Sequence, residues 1–94
     1  MVKADAELYV RERDLPRHIA VWPRELRDYS IPGHETIIAH IQKVLRATYA
    51  AALRGHWSYD VNRHVALLSA LRAEQAGLRR LKAERAAACR EDAA

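Results

Sequence analysis

Two long stretches of helical hydrophobic periodicity are separated by a link of only four residues, 55–58, and no other feature limits the fold of this chain so tightly. In residues 34–54, Ile37, Ile38, Ile41, Val44, Leu45, Thr48, Ala52 and Leu53 recur at steps of three and four and form one apolar stripe. From Tyr59 onward, Val61, Val65, Leu68, Leu71, Leu78 and Leu81 do the same, with polar Gln75 where the pattern asks for another apolar side chain. Ile31, Pro32 and Gly33 mark the turn before the first helix, and Gly55 supplies the left-handed position that commonly ends one. Ser58 reads as the N-cap of the second helix, its hydroxyl accepting a first-turn amide, with Asp60 complementing the helix dipole. So short a link forces the two helices antiparallel.

After Leu81 the stripe stops, while alanine, glutamate and arginine keep helix propensity high through residues 82–88. A helix over 59–88 therefore outreaches its partner by roughly 15 Å, and residues 89–94 are expected to form a tail. The N-terminal third, residues 1–33, is less regular. Leu8, Leu15, Ile19, Trp22, Leu26 and Tyr29 keep a helical period, but Pro16 and Pro23 interrupt it, which predicts two or three short, kinked helices. The alternative is a β-hairpin in which Leu8 and Val10 alternate against Ile19 and Val21, giving an α+β fold. The expected architecture is all-α: a small antiparallel helical bundle with a long C-terminal helix and a kinked N-terminal segment.

Ninety-four residues make one domain, and such a chain buries only about 60 to 65 % of its unfolded surface, which leaves little volume for a closed active site. Sixteen lysines and arginines against twelve acids give a net charge of +4, permissive for nucleic acid without being diagnostic of it. The single Cys89 excludes an intrachain disulfide and suits a reducing compartment. No apolar run approaches the ~20 residues that span a bilayer, and the opening MVKADAELYVRER carries acids where a signal peptide is apolar. The expectation is a soluble, cytoplasmic chain with no membrane partner.

The block Gly55, Tyr59, Arg63, His64, Val65, Leu68, Ala70, Leu71, Ala73, Glu74 resembles a family of short bacterial helical proteins, a domain of unknown function. In that family, G-x-x-x-Y-x-x-x-R-H-V-x-x-L-x-A-L-x-A-E closes the domain. Tyr9, Val10, Arg11, Glu12, Arg13, Asp14 and Leu15 resemble an earlier block of the same family, the two together covering less than a third of the chain. The resemblance implies a helical fold and no particular chemistry.

Candidate sites are few. Tyr59, Arg63 and His64 form a polar cluster at the start of the second helix, with Asp60 spaced to pair with Arg63 and His64. Local pairing of Arg63 with Asp60 is the simpler outcome, and a recognition cluster is the functional one. His56, Asp60 and His64 fall at four-residue steps, but His56 precedes the helix and no H-E-x-x-H motif is present, so neither metal nor cofactor is expected. Trp22, Trp57, Tyr29, Tyr49 and Tyr59 read first as core volume and second as base-stacking groups. Cys89, beside Arg85 and Arg90, reads as a spectator thiol. Arg72, Arg79, Arg80, Lys82, Arg85 and Arg90 face only Glu74 and Glu84 as nearby acids along the last helix, the strongest functional signal in the chain.

These features point to a small non-catalytic interaction protein, a regulator or inhibitor whose basic extension meets a protein or ribonucleoprotein partner. Phage-type inhibitors of host defence, including anti-CRISPR proteins, resemble this chain in size and economy. The alternative function is sequence-nonspecific DNA or RNA binding through the same arginines, and self-association through the long helix is a further option.

Overall fold

The computed structural model describes residues 9–57 and 59–93. Among these the order is α1 (Arg11–Asp14), a 3₁₀ turn (Leu15–Arg17), α2 (Pro23–Leu26), α3 (Ile31–Leu53) and α4 (Val61–Ala93). None of the described residues is in a strand, which removes the hairpin alternative and leaves an all-α bundle. The reason lies in where the amides go. The Asp14 carboxylate accepts from the Val10 amide, and the Arg13 and Asp14 amides turn back to the Val10 carbonyl, so Val10 opens a helix and pairs with no strand. Pro16 and Pro23 stand in the first turns of the 3₁₀ segment and α2, where a missing N–H costs nothing.

The long helices begin and end on local signals. α3 starts at Ile31, three residues before the expected boundary, because the Ser30 hydroxyl accepts from the Gly33 amide and caps it. Ile31, Pro32 and Gly33 are thus its first turn and not a turn before it. Gly33 cannot carry a side chain, since a Cβ there would run into the Asp28 carbonyl and carboxylate. At the other end Gly55 takes φ 62°, the His56 amide bonds to the Ala51 carbonyl and the Gly55 amide to that of Ala52. This is a Schellman motif. α4 begins at Val61, not Tyr59, and Asp60 caps it through the Asn62 and Arg63 amides. Ser58, the expected cap, lies outside the described residues, as does Leu8 of the hairpin alternative.

The core joins Leu15, Ile19 and Leu26 of the N-terminal segment to Ile37, Ile41 and Leu45 of α3 and Leu67 and Ala70 of α4. The α3 stripe holds largely as read, with Leu53 the exception at 71 % exposed. On α4 the buried face is rotated from the leucine stripe. Leu67, Ala70, Glu74 and Gly77 are buried, Leu68 and Leu71 only flank the core, and Val61 and Val65 are exposed. α4 packs against α3 on one side and the N-terminal segment on the other, so small residues and one acid occupy its centre. Every residue from 82 to 90 is exposed, and the helix runs on to Ala93 where a tail was expected. No helix among the described residues is long and apolar enough to cross a membrane.

Candidate functional site

The densest chemistry in the molecule is internal. Arg11 sits at the first position of α1 with its guanidinium buried, and its N–H groups donate to the Glu74 carboxylate and to two backbone carbonyls. Nε donates to Glu74 Oε2 at 2.9 Å and Nη2 to Glu74 Oε1 at 2.5 Å, a bidentate pair. Nη1 donates to the carbonyls of Leu26 and Asp28, which ties the end of α2 to the clasp. Nη2 also lies 3.0 Å from His34 Nδ1, and that same nitrogen is 2.9 Å from Glu74 Oε1. The Tyr9 hydroxyl donates to Glu74 Oε2, and the Tyr29 ring covers the guanidinium at 4.2 Å.

Burial by itself would raise the Glu74 carboxyl, but hydrogen bonds and charge from Arg11, with Tyr9 and His34 behind them, hold it below its ordinary value. Burial likewise works against the charged Arg11, and Glu74 more than offsets it, so the guanidinium is held above its usual range. Burial and the adjacent Glu74 carboxylate push the Tyr9 phenol far above its ordinary range. The cluster therefore stays as an ionised Arg11–Glu74 pair with a neutral tyrosine. No reactive nucleophile and no open coordination position follow from it. Among the described residues no group of three His, Cys, Asp or Glu side chains is placed to hold a metal ion.

Sequence reasoning missed this cluster because Glu74 reads as one of the acids balancing the basic helix. The available signal was its register, since Glu74 follows Leu67 and Ala70 by seven and four residues on one face. A carboxylate at a core position calls for a buried partner, which Arg11 supplies from the N-terminal segment.

The Tyr59, Arg63, His64 cluster is brought together only in part. The Tyr59 hydroxyl meets His64 Nδ1 at 2.9 Å, with the rings edge to face. Arg63 does not fold back onto Asp60. Its guanidinium crosses to the N-terminal segment, where Nε and Nη2 donate to the His18 carbonyl at 3.2 and 2.7 Å and Nη1 reaches Thr48 Oγ1. It fastens the end of the 3₁₀ turn to the helix pair. The aromatic side chains also depart from the core reading, with Trp57, Trp22, Tyr49 and Tyr29 exposed and Tyr59 half-buried.

Arg72, Arg79, Arg80, Lys82, Arg85 and Arg90 are all exposed on α4, as is Cys89. None of the six cations meets an acid among the described residues. With Glu74 withdrawn into the core, Glu84 is the one exposed acid in residues 61–90. Comparison with known proteins finds no matching family model, no matching curated protein and no matching solved structure.

Proposed function

We propose that this chain is a non-catalytic interaction protein, a regulator or inhibitor that presents the exposed basic surface of α4 to a protein or ribonucleoprotein partner. One observation carries the reading: the burial of Glu74 against Arg11 leaves Glu84 as the one exposed acid among six exposed cations in residues 61–90 of α4. Their outer members project beyond the core on a helix about 50 Å long, against about 35 Å for α3. Such a projecting helix offers carboxylate or phosphate groups exposed positive charge with long reach. Arg63 is committed to the fold, so the recognition surface is drawn from Arg72, Arg79, Arg80, Lys82 and Arg85.

The test is affinity capture from host cells with and without nuclease, comparing the wild type with R79E/R80E/R85E and with a chain truncated after Leu81. Nuclease-resistant capture that both changes abolish, with the helical circular dichroism of the body retained, supports the reading. Capture that disappears with nuclease, accompanied by a shift of random duplex DNA that fades steeply with salt, replaces it with sequence-nonspecific nucleic-acid binding.

A further inference from the structure

The end of the helix pair opposite the basic extension carries its own unpartnered surface. Tyr49, Leu53, Trp57 and Val61 are 58, 71, 90 and 57 % exposed. Tyr49 and Leu53 lie one turn apart near the end of α3, Trp57 is in the link and Val61 opens α4, so all four fall within two turns of the link. Large apolar side chains gathered and exposed at one end of a monomer often mark an interaction surface. The charge around them is predominantly positive. Residues 36–59 contain no aspartate or glutamate, while Lys43, Arg46 and Arg54 are exposed, and the Asp60 carboxylate is turned into the α4 cap.

We propose that this end of the hairpin docks an acidic amphipathic segment of a partner protein, whose apolar side chains cover Leu53, Trp57 and Val61 while its carboxylates meet Arg46 and Arg54. A second copy is a poor occupant, because pairing two such ends brings Arg46 and Arg54 against their own kind. Nucleic-acid stacking is disfavoured by the aliphatic Leu53 and Val61 and by His56, which already stacks on Trp57 with ring centroids 5.7 Å apart. A bilayer is disfavoured because the outermost turn is Arg54, Gly55 and His56, all exposed, which insertion would bury first. The surface is distinct from the α4 extension, and its failure would leave the reading of that extension untouched.

The test pans a random peptide display library on the full chain, with counter-selection on the Leu53→Asp/Trp57→Ser double variant, whose folding circular dichroism verifies. Both changes are at exposed positions. The enriched peptides should carry acids and place apolar residues at three- and four-residue steps. They should bind the Arg46→Glu/Arg54→Glu variant roughly tenfold more weakly or worse. In a Trp22→Phe background, Trp57 emission should shift to the blue on binding. Peptides without acids, or peptides that bind the double variant equally well, overturn the proposal. A Trp57 shift produced instead by phosphatidylserine vesicles or by a thymidine oligomer overturns it in favour of those ligands. Sedimentation showing a dimer that Leu53→Asp dissolves overturns it in favour of a second copy.

Discussion

Arg11 and Glu74, separated by 63 positions in the chain, form a buried bidentate ion pair that joins the first described helix to the middle of the last. Because both partners have lost their water, the pair matters through what happens when it is broken. Glu74→Ala leaves the Arg11 guanidinium buried without its counter-ion and should cost about 3–5 kcal/mol in urea denaturation. Replacing both, as Arg11→Met with Glu74→Leu, should cost clearly less than the single change. A double variant as unstable as Glu74→Ala would show that the other Arg11 contacts, to Leu26, Asp28 and His34, carry the stability.

The same pair sets a pH dependence. The Glu74 carboxyl is held below its ordinary value in the folded state, so its contribution is present above the unfolded value of about 4.3 and is lost as pH falls through the lower folded one. Asp14, drawn down to about 2 chiefly by the Arg13 hydrogen bond and next by the Val10 amide, acts in the same direction at the start of α1. Stability measured by urea midpoint should be flat near neutrality on account of these groups and should fall progressively below about pH 4. Glu74→Gln should be less stable at pH 7 and should lose less on acidification. An acid limb of the same steepness in that variant would place the titration elsewhere.

Leu67 is fully buried, whereas Leu68 only flanks the core. Leu67→Ala should therefore destabilise by roughly 2–5 kcal/mol, and Leu68→Ala by visibly less. Leucine periodicity alone points to Leu68, so the ranking of the two midpoints reports the rotation of α4 directly. Equal losses would mean that the helix face is not the one described.

Gly77 lies in the interior of α4, where alanine would ordinarily gain about 1 kcal/mol of helix propensity. Here a Cβ would come within 3.0 Å of His34 Cε1, and that ring is held by Arg11 and Glu74. Gly77→Ala should lower the thermal midpoint instead of raising it, and Gly77→Val should lower it further. A rise in the alanine variant would show that His34 swings aside freely and is not fixed by the clasp.

The local features of this protein were legible in its amino acids because each depends on neighbours within about one helical turn. The apolar steps through Ile37, Ile41 and Leu45, the left-handed Gly55 and the short link to α4 specify an antiparallel helix pair without reference to anything distant. Boundaries moved by two or three residues where competing caps stand close together, Ser30 beginning α3 early and Asp60 beginning α4 after Tyr59. The basic run of α4 was likewise visible, since charge and exposure go together at residues such as Arg79 and Arg85. Tertiary structure alone decided which face of α4 is buried. A leucine stripe cannot reveal that the N-terminal segment approaches from the side of Ala70 and Glu74, where small residues admit a second neighbour. It also decided that Arg11, His34 and Tyr9 converge on Glu74, because a buried charge is tolerated only if distant parts of the chain fold to supply its partners. That convergence in turn removes an acid from the outer surface of α4, so the exposed charge of the helix is a product of core packing as much as of composition.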